Sequence, residues 1–171
     1  ERLGWLRQAW LGYQDAGLTA YRQRDYPRAL EIWQRWLAVA ERREVPAALA
    51  SVVTNLGVIY DALDRHEEAL ACQERALALA EAAGSAEAVV ANTVNIGNSL
   101  HALGRYERAR EFLERGLRQA REIGHVQFEA NAALALGRAL SRPNRTTEAV
   151  QHFERSAALQ AEAGNIAGVA G

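Results

Sequence analysis

The sequence has little of what disulfide-linked, membrane-spanning or strongly charged proteins need. Its 171 residues include one cysteine, Cys72, so no disulfide can form within the chain, and a reducing, cytoplasmic location is the simpler prediction. No apolar run approaches the roughly 20 residues that a transmembrane helix requires. The net charge is -1, which argues against nucleic acid or a membrane surface as a direct partner.

Signals for catalysis and metal binding are also missing. The stretch that begins at His66 starts like a zinc-protease motif but lacks the second histidine. The four histidines have no metal-like spacing, and the glycines of residues 164–171 match neither a dinucleotide-binding nor a phosphate-binding loop. We therefore predict that the chain is not an enzyme and has neither a metal site nor a cofactor.

What the sequence does contain is a repeat of 40 residues. Alanine is frequent and there are only three prolines, which favours helix. Two series of small residues recur on the same period. Their members are Gly17, Gly57, Gly97 and Gly137, and Ala29, Ala69, Ala109 and Ala149. Such a period is typical of a helical repeat protein.

The stretch 94–117 shows the repeating unit most clearly. Ile96 and Leu100 share a helix face, Gly104 ends that helix, and the apolar period resumes at Tyr106 on a second helix. The period then predicts four hairpins, with helices over 5–23, 26–43, 46–63, 66–82, 86–103, 106–123, 126–141 and 146–163. Glycines with positive φ are expected to end three of the second helices, at Gly84, Gly124 and Gly164.

The repeats divide the chain into one array without a domain boundary. We predict repeats at 5–44, 45–84, 85–124 and 125–164, with 1–4 as the tail of a preceding repeat and 165–171 as the start of a fifth. The chain begins without methionine, and we expect it to be a fragment of a longer protein. Cutting a solenoid between repeats exposes apolar edges, so self-association is also expected.

Several motifs resemble the tetratricopeptide repeat. They are Asn55-Leu56-Gly57 with Tyr60, Leu63, Ala69 and Ala76-Leu77, and Asn95-Ile96-Gly97-Asn98 with Leu103-Gly104-Arg105-Tyr106 and Ala109. The 40-residue period is similar to the long-helix subclass of kinesin light chains, Pins/LGN polarity scaffolds and bacterial regulators. The resemblance implies an all-α fold, a right-handed superhelical solenoid of stacked antiparallel hairpins. It also implies a concave groove, lined by the first helix of each hairpin, that binds a peptide or a helix of a partner.

The resemblance places candidate binding residues at fixed distances from the repeat glycines. These groove positions hold Asp15, Asn55 and Asn95 two residues before a glycine, Asn98 and Arg138 one after, Asn131 six before, and His101 and Arg142 four and five after. In the family, asparagine at the place of Asn55 and Asn95 often holds the backbone of the ligand. An amide both donates and accepts hydrogen bonds, so it can pair with any peptide group.

Each candidate also has a structural interpretation. Asn55 and Asn95 occupy the same position of the 40-residue repeat, and they would equally serve to join neighbouring hairpins. Arg138 and Arg142 lie one helical turn apart and would hold a carboxylate, or would be solvated surface charges. His101 would bond a ligand or simply face solvent.

Three functions follow from this pattern. The leading one is a non-enzymatic module that binds a peptide or helical segment of a protein in its groove. The second is a regulatory sensor that binds a small peptide or effector and signals to an attached DNA-binding or catalytic domain. The third is a self-assembly module.

Overall fold

The chain forms antiparallel helical hairpins. A computed structural model describes residues 2–43, 46–141 and 146–169, and within these ranges every regular element is an α-helix. The eight helices are α1 (Arg2–Arg22), α2 (Tyr26–Arg43), α3 (Pro46–Ala62), α4 (His66–Ala82), α5 (Ala86–Ala102), α6 (Tyr106–Glu122), α7 (Val126–Leu140) and α8 (Thr146–Val169). The predicted all-α fold class is confirmed.

The helix starts follow the 40-residue period. The first helices of the later hairpins begin at Pro46, Ala86 and Val126, and the second helices begin at Tyr26, His66, Tyr106 and Thr146. Pro27 lies in the first turn of α2, where its missing N–H costs no intrahelical hydrogen bond. Helix content and helix limits can therefore be predicted from the repeat.

The turns inside the first three hairpins share one backbone conformation. Arg24, Asp64 and Gly104 are 40 residues apart and have φ values of 59°, 57° and 73°. The next N–H reaches back to a carbonyl of the last helical turn, from Arg65 to Tyr60 at 2.9 Å for example. This 6→1 bond is that of a Schellman motif. Only glycine adopts the left-handed region without steric cost, so the first two turns are strained relative to the third.

The ends of the chain differ from expectation. Gly84 and Gly124 have positive φ and end their hairpins, as predicted. Gly164 does not end α8, which continues to Val169. A glycine lowers helix propensity by roughly 1 kcal/mol relative to alanine, which does not by itself end a helix. At the other end, α1 begins at Arg2, and the assignment of residues 1–4 to a preceding repeat stays a prediction.

The helices group into two compact units, an N-terminal unit (Glu1–Ala83) and a C-terminal unit (Gly84–Gly171). In the N-terminal unit α2 packs between α1 and α3, and α4 packs on α3. Its core contains Trp33 and Trp36, which are both 1% exposed and are covered by Trp10 and Tyr13. The Tyr13 and Trp36 rings stack at 5.1 Å. Trp33 and Trp36 therefore pack in the core of this unit.

The C-terminal unit has a core of smaller side chains. In this unit α6 and α7 pack together, α5 packs on α6 and also touches α7, and α8 packs on α7. Leu113 and Leu136 lie at the centre among several buried alanines. The Ser156 hydroxyl donates to the Ala130 carbonyl at 2.9 Å, which joins α8 to α7.

Each repeat glycine lies against the side chain sixteen positions ahead. A Cβ added at Gly97 would come within 2.6 Å of Leu113, and one added at Gly137 would come within 2.7 Å of Phe153. The same slot is filled by Trp33 opposite Gly17 and by Gln73 opposite Gly57. The alanines of the second series are 0–2% exposed at the adjoining contact. Small residues thus let the two helices of each hairpin approach closely.

Candidate functional site

The first helices of the C-terminal unit expose one narrow stripe each. Over residues 90–100 of α5 most positions are buried, but Ala91 and Asn95 are half-buried and Asn98 is exposed. Their spacing of four and three residues puts them on one face. In α7 the exposed Asn131 and Arg138 lie seven residues apart, on a helix that is otherwise largely buried. In both helices, polar side chains therefore lie on a single accessible face.

The two stripes meet in a cavity between α5 and α7 with a volume of about 280 Å³. Nine residues line it, and we call it the C-terminal cavity. They are Ala91, Val94, Asn95 and Asn98 from α5, and Phe128, Asn131, Leu134, Ala135 and Arg138 from α7. The volume lies just below the roughly 300–1,000 Å³ typical of small-molecule sites, so it suits one or two side chains of a ligand.

Four of the residues proposed from the sequence share this cavity. Asn95 and Asn98 come from one helix, and Asn131 and Arg138 from the other. The repeat glycines set this arrangement, because equal offsets from Gly97 and Gly137 bring equivalent faces of two packed helices side by side. Whether these side chains bind a ligand stays a prediction.

The polar groups of the cavity are largely unused by the fold. Among the described residues, the side chains of Asn95, Asn98 and Arg138 have no hydrogen bond or ion pair. Asn131 accepts a hydrogen bond at Oδ1 from Gln127 Nε2 at 3.2 Å, which leaves its amide N–H donors available. Three amides and one guanidinium therefore present donors in excess of acceptors, an arrangement that suits carbonyl and carboxylate oxygens.

Phe128 forms part of the apolar wall of the cavity, and the N-terminal cap of α7 fixes its position. His125 is the N-cap residue, and its Nδ1 accepts a hydrogen bond from the backbone N–H of Phe128 at 3.3 Å. The two rings also lie 4.1 Å apart. The cap thus orients an apolar surface next to the amides. Apolar walls with a few placed polar groups are typical of ligand sites.

A buried carboxylate holds α7 against its neighbouring helices. Glu129 is 8% exposed, and its Oε1 accepts hydrogen bonds from Arg121 Nε at 2.9 Å and from Arg155 at 3.0 and 3.1 Å. Burial alone would raise the pKa of the Glu129 carboxyl, but the hydrogen bonds and charges of both arginines outweigh it and lower the pKa. Glu129 therefore stays ionised and ties α7 to α6 and α8.

The other proposed residues lie elsewhere. Asp15 is exposed on α1 and Asn55 is half-buried on α3, both in the N-terminal unit. His101 lies at the hairpin turn, where its ring meets the edge of Tyr106 at 5.4 Å, and it does not line the C-terminal cavity. Arg142 falls outside the described residues.

The sequence interpretation missed three apolar members of the cavity wall. Val94 and Leu134 each stand three residues before a repeat glycine, so the 40-residue grid could have revealed them. Phe128 has no such signal, because its position depends on the His125 cap. The candidate binding residues are all polar or charged, whereas the cavity wall also contains apolar side chains.

Metal binding and membrane insertion have no structural signal in the described part of the chain. Within it, no group of three or more His, Cys, Asp or Glu side chains is arranged to hold a metal ion. None of its helices combines the length and apolarity needed to cross a membrane.

The chain matches one family model, that of the tetratricopeptide repeat, over residues 8–82 and 88–162. A search of curated proteins finds no match. Among solved structures it is similar to aspartyl phosphate phosphatase F from Bacillus subtilis, with a TM-score of 0.82 and 15% identity over 94% of this chain and 42% of that one.

Two further similar structures contain a bound factor or peptide. One is a Rap protein complexed with competence and sporulation factor, with a TM-score of 0.81, 18% identity, and coverage of 90% of this chain and 43% of that one. The other is the Rap conjugation gene regulator of the plasmid pLS20 in complex with the Phr* peptide, with a TM-score of 0.75, 17% identity, and coverage of 84% and 40%. The chain thus spans less than half the length of these relatives. At such identities the likeness shows the fold alone.

Proposed function

Because the chain belongs to the tetratricopeptide repeat family, we propose that it is a non-enzymatic interaction module whose C-terminal cavity binds a peptide segment of a partner. Asn95, Asn98 and Asn131 would hold the peptide backbone, and Arg138 would pair with an acidic side chain or a terminal carboxylate. The peptide would lie against the exposed faces of α5 and α7, the first helices of their hairpins. With its single cysteine, the module would work in the cytoplasm.

The observation that carries this proposal is a set of polar side chains around one cavity whose hydrogen-bond donors the fold does not use. Helix interiors disfavour asparagine, yet α5 and α7 place three of them beside a cavity. If Asn95 served only to stack hairpins, its amide would bond to a neighbouring helix. Among the described residues it makes no such bond, which favours the binding role over the structural one.

Arg138 also has a possible structural role, which an experiment must distinguish from ligand binding. It lies in the last turn of α7, where a cation also complements the helix dipole. That role would change stability by a fraction of a kcal/mol, roughly 0.3–1, and would not change peptide recognition. A binding experiment with a stability control therefore distinguishes the two roles.

The test is a selection of a random dodecapeptide library on the immobilised chain of 171 residues. We expect enrichment of peptides that carry Asp or Glu, with Kd values then measured by fluorescence anisotropy. The double variant Asn95→Ala/Arg138→Glu should weaken binding at least about tenfold, because it removes an amide pair and reverses the charge that faces the acid.

The matched control is Arg118→Glu, which makes the same charge change at an exposed residue of α6 outside the cavity. It should leave the affinity for the enriched peptides unchanged, and circular dichroism should show unchanged helicity for both variants. Equal affinity of the double variant and the wild type would rule out the proposed site.

A regulatory sensor is the second candidate. It is favoured by the similarity to a gene regulator solved with a peptide, of whose length this chain spans 40%. The parent protein would then carry a DNA-binding or catalytic domain whose activity changes when peptide fills the C-terminal cavity. Reading the flanking sequence and assaying the whole protein with an enriched peptide tests this candidate. Sedimentation of the chain tests whether it self-assembles instead.

A further inference from the structure

A histidine caps the helix that supplies five of the nine residues of the C-terminal cavity. His125 Nδ1 accepts a hydrogen bond from the Phe128 N–H, so this ring nitrogen carries no proton in the capped state. The usual N-cap residues accept through oxygen. Asp25 does so at α2, where its Oδ1 accepts from the Arg28 N–H at 3.2 Å. The α7 cap differs because an imidazole accepts a hydrogen bond only while it is neutral.

The backbone on both sides of His125 is held independently of the ring. The His125 N–H donates to the Ala120 carbonyl at 3.2 Å, and the His125 carbonyl accepts from the Glu129 N–H at 3.0 Å. The equivalent residue at the start of α5, Ser85, makes no side-chain cap. Since α5 forms without one, the cap is an addition to the repeat and not a condition for it.

A proton on the ring acts against the cap in two ways. It removes the acceptor of the Phe128 N–H, and it places a positive charge at the N-terminal end of α7, where the helix dipole disfavours cations. The contact between the two rings, which lie 4.1 Å apart, depends on the same arrangement. Phe128 then loses the interactions that fix it in the cavity wall.

The charged side chains near this cap do not titrate with the ring. On the parts of α5, α6, α7 and α8 next to the cap, the charged residues are Glu87, Arg121, Glu122, Glu129, Arg155 and Glu162. Arg121 and Arg155 both bind Glu129. Among the described residues, none of the six forms a hydrogen bond or ion pair with His125. Carboxylates and guanidinium groups keep their charge between pH 5.5 and 7.5, so His125 is the group of the cap that changes there.

We propose that His125 is a positioning residue of the C-terminal cavity and that its protonation weakens peptide binding. The neutral ring holds Phe128 in the cavity wall, and the protonated ring releases it. This inference rests on the proposed function, because it concerns the affinity for the same acidic peptides.

Charge alone would give the opposite pH dependence. Acid makes the chain more positive, which favours an acidic peptide. His125 and Arg138 are thirteen residues apart, which is about 20 Å along α7, whereas charges at physiological salt are screened over roughly 8 Å. A proton on His125 therefore adds little attraction for the acid held at Arg138. Weaker binding in acid would report the cap.

The test compares Kd values at pH 7.5 and pH 5.5 for an enriched acidic dodecapeptide without histidine, by fluorescence anisotropy on the chain of 171 residues. The wild type should bind about threefold to tenfold more weakly at pH 5.5, as the loss of an N-cap implies. His125→Asn keeps a side-chain acceptor that does not titrate. It should bind like the wild type at pH 7.5 and equally well at pH 5.5, whereas His125→Ala should bind weakly at both.

A readout without peptide follows the cap itself. In the wild type, the hydrogen-exchange protection factor of the Phe128 N–H should fall between pH 7.5 and pH 5.5, and in His125→Asn it should not. His152→Gln is the matched control, since His152 is a half-buried residue of α8 outside the cavity. Burial and the charge of Arg121 lower the pKa of the His152 ring, so it gains its proton in stronger acid. This variant should keep the pH dependence of the wild type.

The outcomes separate this inference from the proposed function. Peptide binding at pH 7.5 that is equal or stronger at pH 5.5 would overturn the role of His125 and leave the cavity as the binding site. A pH dependence that persists in His125→Asn would also overturn it. No peptide binding at pH 7.5 would reject the proposed function, and this inference with it.

Discussion

The two units build the same hairpins from different side chains. The side chains that pack against the repeat glycines are Trp33 and Gln73 in the N-terminal unit and Leu113 and Phe153 in the C-terminal unit. The N-terminal unit exposes leucines around a carboxylate, whereas the C-terminal unit exposes amides beside a guanidinium. The comparison shows that small residues at fixed intervals determine the backbone arrangement. The groove positions between them are free to vary, and there the two units differ most.

Substituting the side chains that pack against the repeat glycines tests whether both cores depend equally on that contact. Trp33→Ala should lower the free energy of unfolding by about 3–5 kcal/mol and Leu113→Ala by about 2–5 kcal/mol, because each leaves a cavity against a helix that cannot close further. Tryptophan fluorescence reports the N-terminal unit, which contains all four tryptophans, and circular dichroism reports the whole chain. Leu11→Ala, at an exposed site, is the control. A loss below about 1 kcal/mol at either slot would show that the slot is not a core contact.

The Glu129 cluster lies in the C-terminal unit. Glu129→Gln should destabilise the chain by about 1–2 kcal/mol, since the carboxylate accepts hydrogen bonds from two half-exposed arginines. The native pKa is lowered, so this stabilisation is complete above the ordinary value of 4.5 and is lost as pH falls through the native pKa. Denaturation curves of the wild type and the variant should therefore converge in acid. A gap that persists at low pH would contradict this account, and Glu74→Gln should show no gap at any pH.

The hairpin turns give the smallest expected effect. Asp64→Gly should stabilise the N-terminal unit by about 1 kcal/mol, because glycine relieves a left-handed backbone, and Gly104→Ala should destabilise the C-terminal unit by a similar amount. Thermal unfolding midpoints measure both. Changes of the same sign in the two variants would refute a common turn geometry.

The helices could be predicted from the sequence because their causes are local. Glycine and alanine at 40-residue intervals fixed the helix pairs, and the turn at Gly104 follows from one residue. The position of His101 could not be predicted, because counting from Gly97 does not reveal that the last turn of α5 packs on Tyr106. The continuation of α8 beyond Gly164 could not be predicted either, because a glycine at a repeat position does not by itself show where a helix ends.

The cavity was only partly predictable for a related reason. Counting from the repeat glycines gave Asn95, Asn98, Asn131 and Arg138, which share one cavity. The same count gave Asp15 and Asn55, which lie in the other unit. Phe128 was missed because its place depends on a cap and a ring contact made by His125. Periodicity predicts which face a residue occupies, but not which side chains surround it.

The most direct test of the proposed site is a titration of the chain with an enriched acidic dodecapeptide, followed by the side-chain amide signals in ¹H–¹⁵N spectra. The signals of Asn95, Asn98 and Asn131 should shift together with one Kd, and so should the guanidinium signal of Arg138. The amide of Asn92 is buried and donates to the Ala88 carbonyl at 2.8 Å, so its signal should remain in place. Peptide binding that leaves the three cavity amides unshifted would contradict the account.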